Sequence, residues 1–347
     1  MPSPGKQPPL DLEIPDLPGE LRSLLSQIPP GRVTTYGKLA EALGNRIAAR
    51  WVAMFLQERH DDPGIPWHRV FRAGGPCGPQ HPGRLPGSGR TGDDFQEKAR
   101  RLHAEGIEID QDTIDAARFA FDTFIGGRPL ERLRHVQEEL AGKVSLHGPR
   151  RLPRLVGGVD VSYPDRRTAV AAYALVEMPG GELVWSTTVG QLVRFPYVTS
   201  YLTFREMPIL LAVWEKVRAE GKLPDVLLVD GSGILHPRHA GLASHFGVVA
   251  DVPTIGVTKK LLWGQVELAG LEPRQARPVL DGKRLIGAAI RPTQGSRRAI
   301  FVSPGHRVSV AYARNVVAKL LRGRRLPEPL YWADRLSRAA GKASGEQ

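Results

Sequence analysis

The chain has 347 residues and carries 48 Lys and Arg against 36 Asp and Glu, a formal net charge of +12. Its single cysteine, Cys77, excludes a disulfide scaffold, and no run approaches the roughly 20 apolar residues that a membrane span needs. At about 150 residues per domain the length predicts two domains, and a pI near 10.1 points to a polyanionic partner, nucleic acid before an anionic membrane.

Residues 1–18 are polar and rich in Pro, and predict a disordered lead-in with no signal-peptide core. The cytoplasm is the simplest compartment, with the protein nucleoid-associated when on DNA. A first domain is expected over residues 20–110. Thr34 and Thr35 offer a hydroxyl cap to a helix opening at Tyr36, and Gly44-Asn45 breaks it. A second helix follows, with Ile47, Trp51 and Phe55 spaced for one apolar side. Two short helices about a Gly-containing turn read as a helix-turn-helix. Ala48 and Ala49 would let its second helix approach a DNA groove beside Arg50, whose spacing alone fits a solvated surface charge equally well. The Gly/Pro-dense run from Cys77 to Gly92 predicts a long loop or wing, and residues 111–128 a connector, partly helical from Asp115 to Phe124.

Three blocks, Pro30-Gly31-Arg32-Val33-Thr34-Thr35-Tyr36-Gly37, Ala48-Ala49-Arg50 and Pro66-Trp67-His68-Arg69-Val70, together with Leu102-His103-Ala104-Glu105-Gly106-Ile107, resemble the DNA-binding domain of O6-alkylguanine-DNA alkyltransferases. In that family a cysteine nucleophile stands between the Pro and His of the third block. Here the position is Trp67, and an indole has no thiolate to accept an alkyl group. The resemblance therefore implies an alkyltransferase-like lesion reader with a mainly α, winged helix-turn-helix fold. It implies that Tyr36 presses on the phosphate of the flipped nucleotide, that Arg50 fills the vacated stack, and that Trp67 lines the lesion pocket.

The second domain is expected over residues 129–337, with a frayed tail beyond Ser337. Leu155–Val161, Ala169–Val176 and Val226–Val229 read as strands, and Thr203–Glu220, Ala240–Ala250 and Ser309–Leu321 as helices, which predicts an α/β fold about a central sheet. Asp160 and Asp230 each follow an apolar strand, where α/β proteins place chemistry. Glu206 lies near the start of a helix, where a favourable dipole charge is the simplest account. Three such carboxylates brought together would hold a hard divalent cation. His236, His239 and His245 offer a rival zinc reading, without help from a cysteine.

The blocks Gly158-Val159-Asp160-Val161-Ser162-Tyr163, Phe195-Pro196-Tyr197-Val198, Phe204-Arg205-Glu206, Val229-Asp230-Gly231-Ser232-Gly233, His236-Pro237-Arg238, Ala243-Ser244-His245-Phe246-Gly247, Ile255-Gly256-Val257-Thr258-Lys259 and Ser303-Pro304-Gly305-His306-Arg307 resemble endonuclease V in family order. That resemblance implies a ribonuclease-H-like fold that cuts deaminated DNA at the second phosphodiester 3′ to hypoxanthine, using Mg²⁺ or Mn²⁺. Asp160, Glu206 and Asp230 match the metal-binding carboxylates, and Lys259 and His306 the basic groups near the scissile phosphate. Tyr197 matches the wedge, Leu202, Gly231 and Leu242 match the base pocket, and His236 is grouped with these DNA-contacting positions. One departure concerns the wedge: the family continues with Pro-Gly where this chain has Thr199-Ser200, which should alter its stiffness and path. The expected partner is damaged duplex DNA, with no membrane. The alternatives are a non-cleaving lesion binder that recruits other repair factors, or an inosine-specific ribonuclease. Oligomeric state is open.

Overall fold

A computed structural model describes residues 13–72, 92–109, 114–296 and 298–345. The chain divides into two compact units, one of residues 15–134 with 195–199, the other of residues 1–14, 135–194 and 200–347.

In the first unit, α1 (Leu17–Ser26) starts at Asp16, whose Oδ1 accepts the Gly19 N–H at 3.0 Å. The disordered lead-in expected through residue 18 therefore ends earlier. Asp16 supplies the cap, Pro18 sits in the first turn where no N–H is needed, and Leu17, Leu21, Leu24 and Leu25 are buried. β1 (Thr34–Thr35) pairs in parallel with β2 (Val70–Phe71). Between them, Thr35 caps α2 (Tyr36–Ala42) by accepting the Lys38 N–H at 3.1 Å. Gly44 turns the chain with φ +101°, Asn45 caps a 3₁₀ turn over Arg46–Ala48, and α3 (Ala49–Gln57) follows.

Trp51 and Phe55 are buried, whereas Ile47 is 43% exposed. Its spacing does not place it on the apolar side, because it lies in the 3₁₀ turn and not on α3. α4 (Gly92–Ala104) and α5 (Ala116–Phe119) complete the unit's own helices. Val33, Phe71, Leu102, Ile107, Ile114 and Phe119 share one core, and the Val33 backbone bonds to Phe119 and Phe121. Gln27 clasps the Ile125 backbone through both amide atoms, at 2.7 and 2.9 Å. The loop or wing expected between residues 77 and 92, with Cys77, lies outside the described residues. α6 (Pro129–Ala141) contains the division between the units.

The second unit is one mixed sheet flanked by helices. Its strands are β3 (Leu155–Ser162), β4 (Thr168–Glu177), β5 (Glu182–Leu192), β6 (Val226–Asp230), β7 (Thr254–Thr258), β8 (Ala276–Asp281), β9 (Arg284–Ile290) and β10 (Ile300–His306), in the order β5-β4-β3-β6-β7-β10-β9-β8. β3, β6 and β7 run parallel, and the other pairs are antiparallel. The helices are α7 (Leu202–Ala219), α8 (Leu242–Ala250), α9 (Val310–Leu320) and α10 (Glu328–Gly345).

Alternation along the strands assigns the two faces. Val159, Leu227 and Val229 pack with Met207, Leu210, Trp214 and Phe246 of α7 and α8. Val156, Val226 and Leu228 pack with Val316, Val317 and Leu330 on the α9 and α10 side. Asp160 and Asp230 therefore share the α10 side of the sheet. No helix among the described residues is long and apolar enough to cross a membrane.

The tail expected to fray after Ser337 instead continues as α10 to Gly345. Ser337 is fully buried, and a Cβ on Gly341 would lie 3.3 Å from Pro164. Such close packing holds a small-residue helix that its composition leaves unmarked. The approach of α10 to β3 needs Gly158, where a Cβ would meet the Pro329 carbonyl carbon at 2.4 Å. Gly158→Ala should destabilise the protein by about 1–3 kcal/mol or more, as overpacking against backbone does. Urea denaturation would register this as a lower midpoint.

Candidate active site

The parallel register pairs Val159 with Val229, so the next residues, Asp160 and Asp230, emerge side by side at the carboxyl edge of β3 and β6. β6 ends at Asp230, whereas β3 continues past Asp160 to Ser162. The two carboxyls are near enough to repel each other. Burial first, then repulsion from Asp230, raises the Asp160 carboxyl well above the usual carboxylate range.

Glu206 comes from the second turn of α7 and is 7% exposed. Burial pushes it up to about 8, with Asp230 and Asp160 adding repulsion, while the phenol of Tyr163 donates to Oε1 at 3.0 Å and opposes the shift. Lys259 follows β7, whose Val257 pairs with Asp230. Its ammonium donates to Asp230 Oδ2 at 2.9 Å and lies 3.9 Å from Asp334 Oδ1. Burial alone would favour neutral Lys259, but attraction to Asp230, Asp160 and Asp334 outweighs it and raises the pKa.

α10 adds two residues with no sequence signal. Ser337 Oγ donates to Asp160 Oδ2 at 3.1 Å, and Asp334 also binds Arg338 at 2.9 Å. Each candidate carboxylate is thus steadied by a different side chain: Asp160 by Ser337, Glu206 by Tyr163 and Asp230 by Lys259. Among the described residues no three acidic, imidazole or thiol side chains are already arranged to hold a metal ion. The donor chemistry nonetheless fits a hard cation. Crowded carboxylates that retain a proton and draw in an ammonium are oxygen donors short of positive charge.

His306 is not brought to this cluster. It pairs with Thr254 at the start of β7, whereas Lys259 follows the other end of that strand. Its Nδ1 accepts the Ser145 N–H at 3.2 Å, and its Nε2 lies 3.8 Å from Asp251. Gly231 and Leu242 do meet, since a Cβ on Gly231 would lie 2.9 Å from the Leu242 Cβ. Leu202 heads α7, one turn before Glu206. Tyr197 is 62% exposed.

His236 is buried and neutral, with burial lowering its pKa to about 3. Its Nδ1 accepts the Arg238 N–H, which leaves Nε2–H to donate to the Ser200 carbonyl at 3.1 Å. Arg238 and Gln137 donate to the same carbonyl at 2.5 and 3.3 Å. Ser200 stands where the resembled family has Gly, and it keeps the glycine-like backbone, with φ +63°. Among the described residues the three histidines considered for zinc do not form a group that could hold a metal ion. His239 Nδ1 faces the Ile234 carbonyl, and His245 is buried with its ring edge-on to Phe204.

In the first unit Tyr36 opens α2, where burial raises its phenol pKa. Arg50 is exposed on α3, between exposed Ile47 and Met54. Among the described residues none bonds its guanidinium. Trp67 begins a 3₁₀ turn over Trp67–Arg69, with Arg101 5.6 Å above its ring and its buried Nε1 unpartnered. Behind it, Glu105 accepts from His68 Nε2 at 2.8 Å and from Arg69 Nη2 at 2.7 Å. Burial opposes charge on Glu105, but Arg69, His68 and the Gly31 N–H outweigh it and hold the carboxyl down to about 2. Burial lowers the His68 pKa despite that partner, so neutral His68 donates to a charged carboxylate.

The raised pKa of Glu206 fixes a pH signature in the absence of divalent metal. Below about pH 4.5 the carboxyl is protonated whether folded or unfolded. As pH rises toward about 8 only the unfolded chain releases the proton, so the stability Glu206 contributes is progressively lost. Glu206→Gln should therefore gain melting temperature relative to the parent across that window and hold a constant offset outside it. Melting curves in chelator at stepped pH test this, and a flat difference would contradict the assignment.

Residues 138–335 match the Endonuclease V family, and residues 19–107 match the 6-O-methylguanine DNA methyltransferase, DNA binding domain. A bifunctional methyltransferase/endonuclease of Picrophilus torridus is 34% identical over 306 residues, covering 88% of this chain and 90% of that protein. The crystal structure of human ENDOV is 34% identical with a TM-score of 0.58, covering 62% of this chain and 99% of that one. Ciona intestinalis endonuclease V, crystallised with a 24mer DNA containing an inosine followed by a ribo-adenosine, is 28% identical with a TM-score of 0.57, covering 62% of this chain and 99% of that one. With a sheet unit of that fold and carboxylates gathered at its parallel edge, the chain belongs to the endonuclease V family and is a DNA-repair endonuclease with an alkyltransferase-type DNA-binding domain at its N-terminal side.

Proposed function

We propose that this endonuclease incises deaminated DNA at the second phosphodiester 3′ to hypoxanthine, and that its N-terminal domain reads O6-alkylguanine without repairing it. The observation that carries the reading is the meeting of Asp160, Glu206 and Asp230 with Lys259 at the carboxyl edge of β3, β6 and β7. In this reading the domains span residues 20–110 and 129–337, the first a winged helix-turn-helix and the second ribonuclease-H-like.

Asp160, Glu206 and Asp230 would hold Mg²⁺, or Mn²⁺ in its place. When bound, the ion supplies a polarised water and charge stabilisation at the scissile phosphate. The chain's own groups do the rest. Tyr163 and Ser337 fix carboxylate orientation. Lys259, mobile on a four-carbon stem, can move from Asp230 to a phosphate oxygen and counter charge developing there. Tyr197, exposed, is free to insert beside the lesion. Gly231 and Leu242 form an apolar wall for an extruded base, with His236 buried close by in sequence. His306, packed against Ser145, is given no catalytic part.

In the reader, Ile47, Arg50 and Met54 are exposed together, a cation flanked by two apolar side chains that suits insertion into an opened base stack. Trp67 presents an indole in place of a nucleophile. The Picrophilus relative is named a methyltransferase, but transfer by this chain would lack its thiolate. Asp230→Asn should reduce Mg²⁺-dependent cleavage of an inosine duplex by roughly a thousandfold, the several kcal/mol that a metal supplies. Full residual cleavage would remove the metal-site reading. Arg50→Ala should weaken binding to an O6-methylguanine duplex by about tenfold, set by the few kcal/mol of base flipping, and leave inosine cleavage intact. Binding equal to the parent's would remove Arg50 from that role.

A further inference from the structure

The loop that follows Lys259 turns two large apolar side chains outward, Leu262 and Trp263, each 40% exposed. The loop is pinned on both sides. Lys259 is held to Asp230 at 2.9 Å, and the Thr258 hydroxyl donates to the Lys260 carbonyl at 2.8 Å. Leu261 turns inward against a core that includes Val279 and Ile286. Gln265 exchanges two backbone bonds with Leu280, at 2.8 and 2.9 Å. Gly264, with φ +94°, makes the turn, and a Cβ there would meet Val279 at 2.9 Å. Trp263 is thus displayed by a fixed turn and not by a slack one. Among the described residues no aromatic ring or cation packs on its indole.

We propose that Trp263 is a stacking platform for an unpaired nucleobase of the bound DNA strand, close to the phosphate that is cut. Three observations favour a base over another occupant. The platform is continuous with Lys259, four residues away, at the carboxyl edge that holds the carboxylates. Lys260, exposed, lies three residues before it in a chain of net charge +12, which favours a polyanionic occupant. An exposed aromatic beside cations is the arrangement that binds single-stranded nucleic acid without regard to sequence, because every base has a π-face. Four residues span at most about 14 Å, which is about four nucleotides at 3.4 Å of rise per strand. With the reach of the two side chains added at either end, the stacked base lies within several nucleotides of a phosphate that Lys259 contacts. This role is separate from Tyr197, which comes from a different segment of the chain.

The inference rests on the proposed site, so its test reads binding and not cleavage. The full chain, in chelator, is titrated with an inosine-containing duplex in which 2-aminopurine is walked through the positions on either side of the inosine. Trp263→Leu keeps apolar bulk and loses the planar ring, whereas Trp263→Phe keeps a ring. Stacking predicts about tenfold weaker binding for Leu and less than about threefold for Phe. The 2-aminopurine signal should change at one position near the cut in the Leu variant alone. Equal affinity for all three proteins, or equal loss in Leu and Phe, would overturn the proposal. So would a change in sedimentation of Trp263→Leu, which would make the face a contact between copies of the chain. If Trp263→Leu does not fold, Trp263→His against Trp263→Gln makes the same ring-against-chain comparison. Failure of the catalytic reading appears separately, as undiminished cleavage by Lys259→Ala.

Discussion

Mutual repulsion among buried carboxylates is the constraint about which the sheet unit is organised. Asp230 repels the buried Asp160 carboxylate, and both aspartates repel the buried Glu206. Left alone, such groups would part or draw in water. They are held because each is tied to a different element: α10 through Ser337, the end of β3 through Tyr163, and the loop after β7 through Lys259. The parallel pairing of β3 with β6 brings the two aspartates together, and the apolar faces of the sheet hold those strands in register. The fold stores an affinity for positive charge that Lys259 satisfies only in part.

The helical unit solves the opposite problem. There one buried carboxylate, Glu105, is outnumbered by donors and becomes strongly acidic. It ties the Trp67–Arg69 turn to the Gly31 turn that precedes β1, so an anionic hub, and not a large core, positions the tryptophan. A module this small gains little from apolar burial alone, and charge-assisted bonds supply the rigidity. Both units therefore fix their working residues through carboxylates, one kind underpaired and the other fully paired.

Much of this was legible in the sequence, and the exceptions have physical causes. Asp160 and Asp230 could be found because an acid directly after an apolar run is a local pattern, although β3 itself continues to Ser162. Glu206 and Lys259 could not be found that way, since a charge on a helix or beyond a strand looks the same whether it faces solvent or a cluster. Family resemblance supplied them, and the geometry brings them together. Asp334 and Ser337 escaped because α10 is built of small and charged residues that mimic a solvated tail, while its packing depends on Gly158 and Pro164, far away in sequence. Ile47 misled because a 3₁₀ turn interrupts the helical period. Ser200 is the subtler instance: its carbonyl accepts three donors and its backbone is left-handed, a conformation that the identity of the residue does not announce.

The position of α10 in the chain has a consequence for biosynthesis. Domains made during translation fold in order from the N-terminal side, so the helical unit can form while most of the sheet is still unmade. The cluster at the sheet edge is incomplete until α10 is released, because Ser337 and Asp334 follow every strand in the chain. The sheet edge of a nascent chain therefore carries its crowded carboxylates before Asp334 and Ser337 exist to steady them, and a ribosome that stalls before residue 334 leaves that edge unsecured.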